Sequence, residues 1–212
     1  MPHRLAFLSH IRSGGENVAS GFAIDTQSGE KKTPGMIPQV LLHCCCAPCA
    51  SYVLEYLSPA MEISILYYNP NIQPLEEYDK RGAELNKLLL QADYPNRVDM
   101  LSCEYDAGAF DSIAAPYKDE PEGGLRCRMC FELRLEETAK RAKADGYDYF
   151  ATTLSVSPHK DAALISEIGG GLAKKYGVGF VHEDFKKHDG FKRSVMLSKQ
   201  YGLYRQSYCG CR

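Results

Sequence analysis

The chain has 212 residues, a length that suits one domain or two small ones. With 44% hydrophobic residues, 25% charged residues and a formal net charge of -2, its composition is that of a globular protein and excludes wholesale disorder and fibrous repeats. The longest stretch without a formal charge, residues 33–54, contains three prolines and four cysteines, which excludes a membrane-spanning helix there.

The first 36 residues contain scattered glycines and charges and show no sustained periodicity. We therefore predict a mobile N-terminal extension over 1–36 and a single domain over 37–212. The apolar run near the N-terminus, residues 5–8, is too short for a signal peptide, so we expect a cytoplasmic protein. Thiols stay reduced in that compartment.

Strand-like and helix-like runs alternate from residue 39 onward. The predicted strands are Val40–His43, Ile63–Tyr68, Arg97–Leu101, Tyr147–Leu154 and Val178–His182. The predicted helices begin near Pro48 and then cover Glu76–Gln91, Cys127–Asp145, Lys160–Tyr176 and Phe191–Tyr201. Residues 103–126 show no regular pattern. This alternation predicts an α/β fold, with a parallel sheet covered by helices on both faces.

Parallel sheets of this kind bind ligands beyond the carboxyl ends of their strands. Three unusual segments follow predicted strands: His43–Cys49, Tyr68–Gln73 and Thr152–Lys160. We expect the functional site to be built from them.

Nine cysteines make complete internal disulfide pairing impossible, and their clustering indicates metal or redox chemistry. Cys45, Cys46 and Cys49 lie in a strand-to-helix turn, where the positive end of the helix lowers thiol pKa values. Cys44 is expected to continue the strand and point into the core. Lone Cys103 is interpreted as a small buried hydrophobic residue.

The second group, Cys127 and Cys130, has the spacing that puts both sulfurs on one helix face. Arg134 falls on the same face one to two turns further along, where a cation would offset the charge of several thiolates. The adjacent pair and the C-x-x-C pair together offer four thiolates, which suit zinc or an iron–sulfur cluster. A thiol–disulfide enzyme and inert core cysteines are the alternatives.

The C-terminal segment 182–212 is basic, with seven Lys or Arg against three Asp or Glu, although the whole chain is acidic. Such a segment suggests an anionic partner, and Lys192, Arg193 and Arg205 are its candidate binding residues. A solvated surface helix is the alternative interpretation.

Residues 43–49, HCCCAPC, resemble the H-x-C-C-A-P-C opening of the epoxyqueuosine reductase QueH family. Further ordered matches to that family lie at 67–72 with Glu77, Tyr78 and Arg81, at 121–130 with Arg134 and Leu135, at 152–160, and at 204–211. Together they cover about residue 39 to residue 212. Residues 1–36 lie outside the resemblance, and Cys44 falls at a loosely defined position.

The resemblance implies a Rossmann-like sheet similar to that of the nucleotide α-hydrolase group. It also implies an oxidoreductase for the last step of queuosine synthesis, the two-electron reduction of epoxyqueuosine in a tRNA anticodon loop. The implied cofactor is a [4Fe-4S] cluster on Cys45, Cys46, Cys127 and Cys130, without cobalamin. Cys49 stands where it could help to bind an additional iron ion.

The C-G-C end is also part of the family pattern, so Cys209 and Cys211 are interpreted as a redox-active pair. Two thiols that merely end the chain, or a ligand to the additional metal, are alternatives. His43, Tyr68 and Asp106 are candidate proton donors to the epoxide oxygen. A zinc-containing tRNA-binding protein and a thiol–disulfide oxidoreductase remain alternative functions. The electron donor is not identified, and no membrane association is expected.

Overall fold

The computed structural model describes residues 36–211. Its strands are β1 (Gln39–His43), β2 (Glu62–Leu66), β3 (Val98–Leu101), β4 (Tyr149–Thr152) and β5 (Gly179–Phe180). Its α-helices are α1 (Ala47–Leu57), α2 (Leu75–Gln91), α3 (Ala107–Ala114), α4 (Leu125–Ala144), α5 (Ala162–Tyr176) and α6 (Gly190–Gln200). Short 3-10 turns follow α3 and β4 at Ala115–Tyr117 and Leu154–Val156.

The five strands form one parallel sheet in the order β3-β2-β1-β4-β5. His43, the last residue of β1, lies opposite Leu66 in β2 and Thr152 in β4. The chain order reverses between β1 and β4, so the crevice between their carboxyl ends is the topological switch point where such sheets bind ligands. The predicted parallel α/β sheet is confirmed.

Strand pleating distributes apolar side chains between two cores. In β1, Val40 and Leu42 face the core formed with α1, α2 and α6, whereas Leu41 faces the core formed with α4 and α5. All three are fully buried. The sheet is therefore covered by helices on both faces, as predicted.

The helix α3 lies inside the segment for which no regular structure was predicted. Its N-cap Asp106 accepts a hydrogen bond from the Ala109 backbone N–H at 3.2 Å, which satisfies one free donor of the first turn. Phe110 and Ala114, four residues apart, are its buried positions. Two apolar contacts give too short a stripe to be recognised in the sequence.

The final segment of the chain, residues 201–211, runs back along α2 from its C-terminal end to its N-terminal end. Four hydrogen bonds mark this path: Lys87 Nζ to the Gly202 carbonyl (2.6 Å), Tyr204 N–H to Glu84 (2.7 Å), Arg81 Nη1 to the Cys209 carbonyl (2.9 Å) and Gln73 N–H to the Gly210 carbonyl (3.1 Å). We call residues 201–211 the C-terminal strap. It brings the last two cysteines to the N-terminal end of α2.

The predicted extension over 1–36 lies outside the described residues except for Met36. Within 36–211, none of the helices combines the length and apolar character needed to cross a bilayer.

Candidate metal centre

The first cysteine group occupies the turn between β1 and α1. Cys46 is the N-cap of α1, and Pro48 stands in the first helical turn, where its missing N–H is not needed. Cys44 points into the core and is fully buried, and this burial raises its pKa. Cys44 is therefore an inert core thiol, as the sequence predicts.

Cys45, Cys46 and Cys49 bring their sulfur atoms within 4.8 Å of one another. The Cys45 and Cys46 sulfurs are 3.8 Å apart. Two thiolates on one tetrahedral ion with metal–sulfur bonds of about 2.3 Å lie roughly 3.8 Å apart, so this group can hold a metal ion.

Hydrogen bonds inside this group differentiate its thiols. Interaction with the Cys46 and Cys49 thiols lowers the pKa of Cys45, and interaction with Cys45 helps to raise the pKa of Cys46 and of Cys49. The Thr153 hydroxyl adds a further contact, because it accepts the Cys45 backbone N–H at 3.3 Å and lies 3.6 Å from the Cys45 sulfur. Cys45 is thus the favoured first thiolate of the group.

The second cysteine group lies at the start of α4. Cys127 and Cys130 are both buried, and the backbone N–H of Gly123 donates to the Cys127 sulfur at 3.2 Å. Burial raises the pKa of Cys130, an effect that the charge of Arg134 opposes. Among the described residues, neither α4 sulfur lies within 4.8 Å of all three sulfurs of the first group.

Arg134 is a buried cation that faces sulfurs from all three cysteine groups. Its side chain is only 2% exposed, and its Nε donates to the Cys130 carbonyl at 3.1 Å. Burial disfavours the charged guanidinium, but negative charge on Cys130, Cys209, Cys45 and Cys211 raises its pKa overall. Its Nη2 is buried without a hydrogen-bond partner within residues 36–211. An unsatisfied cationic donor at this position fits an anionic, thiolate-rich centre.

The third group, Cys209 and Cys211, reaches the same place at the end of the C-terminal strap. Neither thiol forms a disulfide, and the two lie close enough for each to shift the pKa of the other, downward for Cys209 and upward for Cys211. Gly210 between them has a φ of +104°, and a Cβ there would lie 3.3 Å from both terminal nitrogens of Arg81. Glycine is therefore required both by the backbone conformation and by the approach of Arg81.

His43 is a satisfied histidine at the end of its strand. Its Nε2–H donates to the Tyr68 carbonyl at 3.1 Å, and its Nδ1 lies 2.9 Å from the Thr152 hydroxyl. Burial, followed by the nearby charge of Arg134, lowers its pKa to about 3. A neutral imidazole joins β1, β4 and the loop after β2.

The other two candidate proton donors differ in their surroundings. Asp106 is the N-cap of α3 described above. Tyr68 is partly buried and packs against the apolar cluster that contains Cys127 and borders Cys45. Burial raises the pKa of Tyr68 to about 12, so its hydroxyl keeps its proton at neutral pH.

The basic residues of the C-terminal region lie around α6. Lys192 is exposed, whereas Arg193 forms a salt bridge with Glu55 at 2.9 Å. Arg205 donates to the Ser198 hydroxyl at 3.1 Å and covers the Phe191 ring. Glu55 lies six residues beyond Cys49 on α1, about 9 Å along the helix axis, so Arg193 is remote from the sulfurs.

Cys103 is half-buried beside the α4–α5 core rather than fully buried, and it lies outside the three-sulfur group. The contact of Thr153 with Cys45 was not predicted. It follows from the pairing of β1 with β4, which the linear sequence does not specify.

These features define a thiolate-rich, metal-capable site at the switch point of a parallel α/β sheet. The chain belongs to the epoxyqueuosine reductase QueH family, since the family model described as "Epoxyqueuosine reductase QueH" matches residues 40–212. A Streptococcus pyogenes serotype M1 protein of that name is 40% identical over 176 residues, covering 82% of this chain and 69% of the relative. The Staphylococcus epidermidis protein of that name is 43% identical over 183 residues, covering 84% and 76%. The Thermotoga maritima protein of that name is 39% identical over 172 residues, covering 81% and 88%.

Proposed function

We propose that this protein reduces the epoxide of epoxyqueuosine in tRNA to the alkene of queuosine. Both carbon–oxygen bonds of the epoxide break, a carbon–carbon double bond forms, and two electrons and two protons convert the oxygen to water. The observation that carries the proposal is a match to a family named for this activity that spans nearly all the described residues, including all three cysteine groups.

The cofactor in this proposal is a [4Fe-4S] cluster held by Cys45, Cys46, Cys127 and Cys130. Thiolate ligands select iron–sulfur clusters or zinc over hard cations. Arg134 supports one shared centre, because its charge interacts with Cys45 from the first group and Cys130 from the second. When bound, the cluster supplies electrons one at a time.

An additional iron ion near Cys49 extends this proposal. Cys49 belongs to the three-sulfur group but is not required for a four-cysteine cluster. Its position on the first turn of α1 leaves it available to a second metal. Cys49 is therefore the thiol that we assign to that ion.

Tyr68 is the residue that we assign as proton donor to the departing oxygen. Its hydroxyl is protonated at neutral pH, and its ring packs against the apolar cluster that contains Cys127. His43 uses both ring nitrogens in structural hydrogen bonds, and Asp106 caps a helix. Neither therefore offers a free proton comparable to that of Tyr68.

Cys209 and Cys211 form the redox pair of this proposal. Oxidation of two thiols to a disulfide releases two electrons and two protons, which matches the electron demand of epoxide reduction. Their location beside Arg134 and Cys130 supports transfer toward the metal centre. An external reductant then restores the two thiols.

The macromolecular partner is tRNA carrying epoxyqueuosine in its anticodon loop. The modified base must leave the stacked loop to reach a buried centre. Lys192, Arg193 and Arg205 are proposed to hold the RNA backbone near α6. We place the reaction in the cytoplasm, where the free cysteines of the chain stay reduced.

One observation favours a second candidate, a zinc-containing tRNA-binding protein. The 3.8 Å separation between the Cys45 and Cys46 sulfurs suits a single tetrahedral ion as described above. Zinc has no redox chemistry, so this candidate cannot reduce an epoxide.

Anaerobic turnover distinguishes the two candidates. The iron-loaded enzyme, a chemical reductant and tRNA from cells lacking epoxyqueuosine reductase are incubated, and the nucleosides are analysed by mass spectrometry. The proposal predicts that the modified nucleoside loses one oxygen atom in the parent and in the Cys103→Ser control, but not in Cys127→Ser. A folded, metal-loaded parent that leaves the nucleoside unchanged would contradict it.

A further inference from the structure

We propose that Lys160, held by Glu122, is the positioning residue that makes Cys209 rather than Cys211 the thiolate of the redox pair. This inference rests on the proposed redox role of Cys209 and Cys211. It assigns an order to the two sulfurs, which their sequence C-G-C does not show.

Lys160 is held in place by hydrogen bonds both at its ammonium group and at its backbone. Its Nζ donates to a Glu122 carboxylate oxygen at 2.8 Å and to the Cys209 sulfur at 3.4 Å. Its backbone N–H donates to the Ser157 carbonyl at 3.2 Å, and its carbonyl accepts a hydrogen bond from Lys186 Nζ at 3.0 Å. The loop between β4 and α5 thus holds the cation against one particular sulfur.

Burial strengthens the electrostatic interaction between the Lys160 ammonium and the Cys209 sulfur. The Lys160 side chain is only 9% exposed, whereas the Glu122 side chain is 55% exposed and largely screened by water. A buried ammonium needs nearby negative charge, and Glu122 supplies it from the solvent side. The Cys209 sulfur supplies it from the interior side, so the ion pair stabilises a thiolate there.

The groups that face the pair act unequally on its two members. The Cys211 hydrogen bond lowers the pKa of Cys209 despite burial, and the positive charges of Lys160 and Arg134 act in the same direction. The hydrogen bond with Cys209 raises the pKa of Cys211, and burial and negative charge on Cys209 and Cys130 add to that rise.

Arg81 and Arg126 complete the charged surroundings. Arg81 reaches the strap through the Cys209 carbonyl, not through either sulfur. The charge of Arg126 partly opposes the rise in the pKa of Cys211, but it does not reverse the order of the two thiols. Among residues 36–211, Lys160 is the cation that donates a direct hydrogen bond to a sulfur of this pair.

The order of the sulfurs has a chemical consequence for regeneration by an external dithiol. One reductant thiolate attacks the Cys211 sulfur, the disulfide bond breaks, and Cys209 leaves as the thiolate beside Lys160. The second reductant thiol then displaces Cys211, which takes up the proton, and the reductant becomes a disulfide. The better-stabilised thiolate is the faster leaving group.

Site-resolved alkylation tests the assignment on the anaerobically purified, iron-loaded enzyme with its pair reduced. Iodoacetamide labelling is followed across a pH series, and the peptide containing residues 206–212 is analysed by fragmentation mass spectrometry. In the parent, Cys209 should react before Cys211, with the midpoint of its labelling profile below neutral pH. Lys160→Met and Lys160→Gln should each raise that midpoint by about one pH unit or more.

Lys160→Arg should keep the midpoint near that of the parent, because it retains the charge. Lys174→Met, at an exposed position in the last turn of α5, is the matched control and should leave it unchanged. Loss of the cation also destabilises the reduced pair. In a dithiol redox buffer, Lys160→Gln should therefore shift the equilibrium about tenfold toward the disulfide, a potential about 30 mV more negative.

Faster labelling of Cys211 than Cys209 in the parent would overturn the assignment, as would an unchanged midpoint in folded Lys160→Gln. Neither readout requires turnover. If Cys209→Ser and Cys211→Ser both retained full epoxide reduction, the redox role would fail while the labelling order could still hold. Conversely, if Cys209→Ser were inactive but the labelling midpoint were unchanged in Lys160→Gln, only the positioning role of Lys160 would be rejected.

Discussion

At the scale of single residues, buried positively charged side chains lie near the cysteine sulfurs of this site. Arg134 and Lys160 come from different elements, yet each has a pKa raised by nearby negative groups, which are cysteines around Arg134 and Cys209 together with Glu122 around Lys160. Burial alone would disfavour both charges, so the negative groups beside them stabilise the protonated forms. This arrangement can hold a metal centre and set its potential.

Removal of the Arg134 charge should lower the reduction potential of the metal centre. In general, one unit charge about 6 Å from a redox centre, at an effective dielectric constant of about 20, contributes about 3 kcal/mol, on the order of 100 mV for a one-electron couple. Arg134→Gln should show this shift in an anaerobic redox titration, while Lys140→Gln on the exposed face of α4 should not. An unchanged potential in folded, iron-loaded Arg134→Gln would rule out the electrostatic role.

Tyr68→Phe tests the proton donor, since it removes the hydroxyl and keeps the packed ring. General acid catalysis typically contributes at least about a hundredfold, so turnover should fall by about that factor or more. Iron content and tRNA affinity should stay near the parent values. Tyr176→Phe, which loses only a surface hydrogen bond to Glu136, is the control. Normal turnover of Tyr68→Phe would exclude the assignment.

At the scale of secondary-structure elements, the C-terminal strap depends on α2. Arg81 is 2% exposed, pairs with Glu77 at 2.7 Å and donates to the carbonyls of Tyr208 and Cys209. This one side chain therefore links the strap to the helix beneath it. The location of Cys209 and Cys211 follows from that link.

Arg81→Gln should loosen the strap and destabilise the fold. Removing one partner of a buried ion pair costs about 3–5 kcal/mol, because the remaining charge is left uncompensated. Hydrogen exchange of residues 203–211 should become faster, and denaturant unfolding should show the loss of stability. Asp79→Asn, on the exposed face of the same helix, should change neither. Parent-like exchange in Arg81→Gln would contradict the link.

The sequence was sufficient to predict the five parallel strands, because short apolar runs alternate with helical patterns. It failed for α3, whose buried face consists of Phe110 and Ala114. The motif-bearing cysteines were recognised from their spacing. The contacts of Thr153 with Cys45 and of Lys160 with Cys209 were not predicted, since they depend on strand order and on the path of the strap.

At the scale of the whole molecule, the proposed RNA surface and the sulfurs occupy different places. Arg193 is paired with Glu55 toward the C-terminal end of α1, whereas Cys46 and Cys49 lie at the N-terminal end of that helix. A tRNA that contacts both must extend across α1 and α6. Binding and chemistry are therefore separable by substitution.

Charge reversal at Lys192 and Arg193 should weaken tRNA binding and flatten its salt dependence. Each lost phosphate contact reduces the slope of log affinity against log salt by about 0.7–0.9. In filter-binding titrations, this slope should decrease in the double variant by the equivalent of one to two phosphate contacts. Its iron content should stay at the parent level. Lys174→Glu serves as a single-charge control. An unchanged affinity and slope would remove α6 from the interface.

The most direct test of the central claim is the iron and sulfide content of the anaerobically purified protein, measured with its visible spectrum for the parent and for Cys127→Ser. The account predicts a brown parent with iron and acid-labile sulfide in cluster proportions, and loss of most of both in Cys127→Ser, because three thiolates cannot saturate the cluster. Cys103→Ser should match the parent. A colourless zinc protein, or a Cys127→Ser variant that keeps its full iron and sulfide, would contradict the account.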